Sequence, residues 1–180
     1  MFNFTDSNQI LQFMQRSLYI MRHAQAEEIH GGLHDKDREL TGKGQQEALI
    51  IGTQLSKQGF TPEYIYTSVA NRTKHTAALV SDVLKVTSEH VIEEEELYNS
   101  SIRSYLSFIN KIDASIRSVL LVGHNPTVSY LAEYLSNAEI GSMPTGGLCL
   151  LQITVPSWKE VSKESATLLD FIYPEQFSRS

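Results

Sequence analysis

The chain has 180 residues, 41% of them hydrophobic and 20% charged, with a formal net charge of -6. That length suits a single domain burying roughly 70% of its unfolded surface. The acidic balance argues against non-specific nucleic-acid binding, which needs basic surface, and no apolar run reaches the length of a membrane span. A small anionic ligand stays open, because a local arginine cluster can oppose the net charge. The one cysteine, Cys149, fits a reducing compartment, and its setting among Leu148, Leu150 and Leu151 suits a small buried hydrophobe. Met1 to Asp6 lacks the basic and apolar regions of a secretory signal, so a cytoplasmic location is expected.

Residues 1–16 read as an N-terminal extension, with a short helix expected between Gln9 and Gln15, and residues 17–180 as the domain. Leu18 to Met21 is an apolar run that predicts a strand ending in Arg22-His23. Residues 25–40 are polar, contain Gly31-Gly32 and read as a long loop of the kind that often carries function. Thr41 is the expected N-cap of a helix over 42–58, with Ala48, Ile51 and Leu55 on one face and Gly59 at its end. Tyr64 to Thr67 predicts a second strand, and a helix follows from about Ala70 to Leu84.

Val91-Ile92 predicts a short strand before the charge run Glu93-Glu94-Glu95-Glu96. Ile102, Tyr105, Leu106 and Ile109 give an amphipathic helix. Val119 to Val122 reads as a strand covered on both faces. It ends in Gly123-His124-Asn125-Pro126, where Asn125 as N-cap and Pro126 at the first helical position predict a helix start. Leu148 to Val155 and Thr167 to Ile172 supply two late strands. Strands alternating with helices predict a three-layer α/β/α sandwich around a mostly parallel sheet.

Three predicted strands therefore end in polar groups: Arg22-His23, Ser68 with Arg72, and His124-Asn125. Ligands of open α/β sheets sit beyond the carboxyl ends of the strands. Two arginines, two imidazoles and helix N–H groups at that edge would make a phosphate site. His30, His34 and His23 do not have the close spacing or the companion ligands of a zinc site, so no metal is expected there. His75 and His90 read as surface residues. Gly42-Lys43-Gly44 lacks the third glycine of a dinucleotide fingerprint. Asp37-Arg38 reads either as an ion pair bracing the loop or as a substrate contact.

These residues resemble the histidine phosphatase superfamily, with its phosphoglycerate-mutase-like fold, and within it the short SixA-type phosphohistidine phosphatases. The resemblance runs from Leu18 to about Phe177. It is carried by Met21-Arg22-His23-Ala24, Asp37-Arg38-Glu39-Leu40-Thr41 with Gly44, Ser68 with Arg72 and Thr76, Leu97-Tyr98, and Gly123-His124-Asn125-Pro126. Met143-Pro144-Thr145-Gly146 and Leu169-Asp170-Phe171 add to it. The resemblance implies that His23 accepts the phosphoryl group, that Arg22 and Arg72 hold its oxygens, and that His124, with Asn125 beside it, completes the substrate-binding set. It implies no metal and no other cofactor.

The sequence departs from the family pattern in two places. Val69 and Thr73-Lys74-His75-Thr76 stand where the family usually has proline and Ala-x-Gln-Thr, although Arg72 is kept. The carboxylic acid that many members use to protonate a leaving oxygen has no clear counterpart, and Glu93 to Glu96 read first as a solvated charge run. An N–P bond needs less help to break than an alkyl ester, so phosphohistidine on a phosphotransfer protein or histidine kinase domain is the expected substrate. A small phosphate ester and a non-catalytic phosphate-binding scaffold are the alternatives.

Overall fold

The structure is a computed structural model that describes residues 15–28, 31–32 and 34–177. Strands β1 (Arg16–Arg22), β2 (Tyr64–Ser68), β3 (Val91–Glu94), β4 (Ser118–Gly123), β5 (Leu148–Ile153) and β6 (Ala166–Ile172) form one sheet in the order β3-β2-β4-β1-β5-β6. The pairings of β1 with β4, β4 with β2, and β2 with β3 are parallel, whereas β5 runs antiparallel to both β1 and β6. The helices are α1 (Gly42–Lys57), α2 (Asn71–Leu84), α3 (Ile102–Ile109) and α4 (Thr127–Ser136). None of them is long and apolar enough to cross a membrane.

The central strands read as unbroken apolar runs because both of their faces are covered. Alternate side chains leave opposite faces of a strand. Leu18, Ile20, Val119 and Leu121 accordingly join the cluster built with Tyr105 and Ile109 of α3 and Val128, Leu131 and Leu135 of α4. Tyr19, Met21, Leu120 and Val122 join Ala48, Ile51 and Leu55 of α1 and Ala77 and Val80 of α2 on the other face. Each fully buried Leu or Ile contributes about 1.5–3 kcal/mol relative to leaving it in water, so these two clusters fix the three layers. Cys149 is fully buried among them, and burial pushes its thiol up to about 12. It packs as a small hydrophobe.

Most expected boundaries hold within one or two residues. Thr41 caps α1 by accepting the Gly44 N–H at 3.0 Å, and Gly59 ends it at φ +75°. Gly44 also serves a close approach, since a Cβ there would lie 2.0 Å from the Gln25 carbonyl oxygen. The start of α4 differs from expectation. The helix begins at Thr127 with Pro126 in the cap position and no side-chain cap. The Asn125 side chain instead donates to the Met143 carbonyl (2.9 Å) and accepts from the Ser129 hydroxyl (2.8 Å). The Ser129 hydroxyl takes the amide oxygen that a cap would offer to the helix N–H groups, and the Met143 carbonyl fixes the amide nitrogen. The helix expected between Gln9 and Gln15 lies outside the described residues, Gln15 excepted.

Candidate active site

The parallel strands β1, β2 and β4 end side by side, which brings Arg22-His23, Ser68 and His124 to one edge of the sheet. The backbone holds His23 twice, with its N–H on the Gly123 carbonyl (3.0 Å) and its carbonyl accepting from Gly146 (3.2 Å). The first contact joins it to the end of β4, and the second to the loop before β5.

The His23 ring is oriented by its neighbour. Nδ1 lies 2.8 Å from the Ala24 carbonyl oxygen. A carbonyl can only accept, so Nδ1 carries the proton and Nε2 presents a lone pair. Sequence could not identify this acceptor, because it is a main-chain atom. The residue is 9% exposed. Burial drives its pKa down to about 3 against the contrary pull of the Ala24 hydrogen bond, and His124, Arg72 and Arg22 add to the lowering.

His124 faces His23 edge-on with ring centroids 5.3 Å apart. Its Nε2 sits 2.7 Å from Ser68 Oγ, which is 2.7 Å from Thr73 Oγ1, and that hydroxyl donates to the Ala70 carbonyl at 2.8 Å. The chain of donors runs in one direction if His124 Nε2 carries its proton, leaving Nδ1 as an acceptor toward Arg72 at 3.2 Å. Burial, then Arg72, lowers the His124 pKa to about 4. Thr73 and Thr76, in the stretch that departs from the family pattern, both find structural roles. Thr76 accepts the Ala24 N–H at 3.1 Å and donates to the Arg72 carbonyl at 2.7 Å.

Arg72 is the centre of the pocket. Its Nε donates to His23 Nε2 at 3.3 Å and its Nη2 reaches His124 Nδ1 at 3.2 Å, so one edge of the guanidinium faces both imidazoles. Its other edge is held by Asp35, through Nη1 to the carbonyl oxygen and through Nη2 to Oδ2 at 2.8 Å. Arg22 donates from Nη1 to the Met143 carbonyl at 2.8 Å, the same oxygen that Asn125 uses. Its buried Nε has no partner among the described residues. Three of the residues named from sequence, His23, Arg72 and His124, therefore meet, and Arg22, next to His23 in the chain, adds its charge to the lowering of the His23 pKa. The fifth, Asn125, directs its amide to the Met143 carbonyl, the loop oxygen to which Arg22 also donates.

Asp35 is the residue that sequence reading missed. It sits in a one-turn helix, Asp35–Asp37, inside the expected loop. Arg38 pairs with Asp35 at 3.1 Å, three residues away, so the brace anticipated at Asp37-Arg38 is built with a different carboxylate. Tyr98 donates to Asp35 Oδ2 at 3.0 Å. Burial alone would raise the Asp35 carboxyl, but the bonds from Arg72, Arg38 and Tyr98 outweigh it and hold the group down to about 2. An acid three residues before an arginine, in a loop leading to a capped helix, was the available signal.

The glutamate run stands apart from the imidazoles. Glu93, Glu95 and Glu96 pair with Lys74, Lys36 and Lys111 at side chains that are largely exposed. His75 lies near Glu39 at 3.8 Å, His90 stacks on Tyr64, and His34 is exposed, whereas His30 lies outside the described residues. A cavity of about 550 Å³ along α2, lined by Glu39, Lys74, His75 and Glu93 among others, includes none of Arg22, His23, Arg72 and His124. A smaller one of about 230 Å³ adjoins His124, Asn125, Asn99 and Ser100.

The two depressed imidazole pKa values predict a pH dependence of stability. Both rings stay neutral when folded but take up protons near 6.5 when unfolded, so their contribution is complete above pH 6.5 and is lost as pH falls toward 4 and 3. The melting temperature in phosphate-free buffer is expected to fall between pH 7 and pH 5. The His23→Gln/His124→Gln double variant should fall less over the same interval, and equal falls would contradict the assignment.

A family model for the histidine phosphatase superfamily (branch 1) matches residues 18–105. SixA from Agrobacterium tumefaciens aligns with a TM-score of 0.74 and 29% identity, covering 88% of this chain and 98% of that one. The protein histidine phosphatase SixA complexed with tungstate aligns with a TM-score of 0.77 at 22% identity, covering 90% and 99%. An uncharacterized protein of Mycobacterium tuberculosis strain H37Rv is 29% identical over 164 residues, 86% of this chain and 99% of its own length.

Proposed function

This chain belongs to the histidine phosphatase superfamily, in its SixA-type branch, and we propose that it is a metal-independent phosphatase that removes phosphate from phosphohistidine on a signalling protein. The observation that carries the reading is the single guanidinium edge of Arg72 set toward both His23 Nε2 and His124 Nδ1. A phosphoryl group entering there would take the Arg72 donors from the imidazoles and leave the His23 lone pair aimed at phosphorus.

In this reading the His23 Nε2 lone pair forms the new P–N bond while the bond from phosphorus to the leaving group breaks, and the leaving group keeps that electron pair. Water then attacks phosphorus and returns the pair to Nε2, releasing inorganic phosphate. Two steps through a covalent intermediate replace one harder step. Arg72 and Arg22 oppose the phosphoryl charge as fixed donors. A dianion beside His124 would also favour a proton on Nδ1, turning that atom from acceptor to donor.

The leaving group is where this site discriminates. An imidazole already protonated on its other nitrogen departs as a neutral ring, whereas an alkoxide must be protonated as it leaves. The carboxylate at this pocket, Asp35, is held ionised and cannot give a proton. Glu93, Glu95 and Glu96 of the charge run are paired with surface lysines. Both facts favour a phosphoramidate over an alkyl ester, and the SixA-type relatives bear the name of that activity.

The test is a comparison of phosphate release, without added metal, from a phosphohistidine-bearing phosphotransfer domain and from glycerol phosphate. Release from the phosphohistidine protein is expected to dominate, and to require His23. Faster turnover of the alkyl ester would point to a small-molecule phosphomonoesterase. An absence of His23-dependent release from both would leave a phosphate-binding scaffold.

A further inference from the structure

Arg72 uses both edges of its guanidinium at once. The edge formed by Nε and Nη2 faces His23 and His124 (3.3 and 3.2 Å), and the edge formed by Nη1 and Nη2 is held by the carbonyl and carboxylate of Asp35. A guanidinium is planar and rigid, so fixing one edge fixes the direction of the other. Asp35 is itself held from two further sides, by Arg38 Nη1 on Oδ1 at 3.1 Å and by the Tyr98 hydroxyl on Oδ2 at 3.0 Å.

The segment carrying Asp35 is also tied to its surroundings. Lys36 pairs with Glu95 at 2.8 Å and lies over the Tyr98 ring at 5.1 Å. Asn71, the first residue of α2, bonds the Asp37 carbonyl and Glu39.

We propose that Asp35 is a positioning residue for oxyanion binding, which locks the outer edge of Arg72 so that its inner edge stays directed between the two imidazoles. This rests on the phosphatase reading above for the identity of the anion, but not for the geometry. An incoming phosphoryl group needs the inner edge alone, so the carboxylate does not have to leave for the anion to bind. The alternative, in which Asp35 occupies the arginine as a competing anion, predicts the opposite response to its removal.

The experiment uses Asp35→Ala and Asp35→Asn in the full chain, with tungstate binding measured by calorimetry and turnover of a phosphohistidine-bearing domain measured alongside. The Asp35 side chain is 37% exposed, so neither variant is expected to unfold the protein, and its melting temperature serves as the control. Asp35→Ala is expected to weaken tungstate binding and to lower kcat by about 10- to 100-fold, the scale of a misplaced catalytic group. Asp35→Asn, which keeps an acceptor for Nη2, should recover a large part of the loss.

In an Arg72→Ala background, Asp35→Ala should add less than about twofold, because a residue acting through another has nothing left to act on. Tighter tungstate binding in Asp35→Ala would overturn the proposal in favour of the competing anion. So would an unchanged affinity, full additivity with Arg72→Ala, or a wild-type chain that does not bind tungstate. A wild type that binds tungstate but shows no His23-dependent turnover would remove the phosphatase reading while the binding series still decides the role of Asp35.

Discussion

Replacing His23 with alanine is expected to lower phosphate release by about 10⁴-fold or more, the scale seen when a covalent nucleophile is removed. The geometry accounts for the size of the effect. The Ala24 carbonyl holds Nδ1 at 2.8 Å, so the ring cannot flip without losing a buried hydrogen bond, and Nε2 is committed to the pocket. With its pKa pulled well below the usual imidazole value, to about 3, the nucleophile is neutral at pH 7. His124 is not expected to substitute, because its Nε2 is taken by Ser68 and its Nδ1 faces a different guanidinium nitrogen, Nη2, of Arg72. Tungstate binding should survive in His23→Ala, since both arginines remain. Residual activity above about a tenth of wild type would remove His23 from the nucleophile's role, because nucleophile deletions leave far less.

The second large effect is expected at Arg72. Arg72→Ala should lower kcat/KM by on the order of 10²–10³, the range for losing one fixed donor to a developing anion. Arg72→Lys should recover little of it. An ammonium is a point charge on a flexible stem, and it cannot meet His23 Nε2, His124 Nδ1 and both Asp35 oxygens together. The folded state should tolerate the change better than the reaction does. Asp35 keeps Arg38 and Tyr98, so removing Arg72 does not leave its carboxylate unpaired. The measurement is kcat/KM beside melting temperature for both variants. A lysine variant within about threefold of wild type would show that charge alone, without the planar fork, suffices.

Much of this site is legible in the amino-acid sequence. Arg22-His23 and His124 close apolar runs, and Arg72 opens the helix after a third. A sheet of parallel strands collects such ends at one edge. Legibility ends where pattern carries no information. Asp35 lies in a loop with no periodicity, and its partners are 3, 37 and 63 residues away in sequence. Asn125 has the composition of a helix cap, but its oxygen is taken by the Ser129 hydroxyl and its nitrogen by the Met143 carbonyl, a main-chain atom that no sequence pattern could place. The Ala24 and Met143 oxygens are of the same kind, backbone atoms whose identity as residues is immaterial.

The reversed strand β5 bears on how this protein could be re-engineered. Because β5 runs against β1, with Met21 beside Leu148, the segment entering β5 arrives at the edge where the parallel strands leave. Gly147 and Gly146 there bond Arg22 and His23 through the main chain, and the Met143 carbonyl joins Arg22 to Asn125. The connection from α4 to that segment is not a helical crossover, and its outer part, around the exposed Gly141 and Ser142, is tied to α4 through the Ile140 and Gly141 N–H groups on the Glu133 carboxylate, so an insertion there is best placed to leave those two bonds intact. An insertion grafted there would be carried to the mouth of the pocket by a strand that is already part of the core.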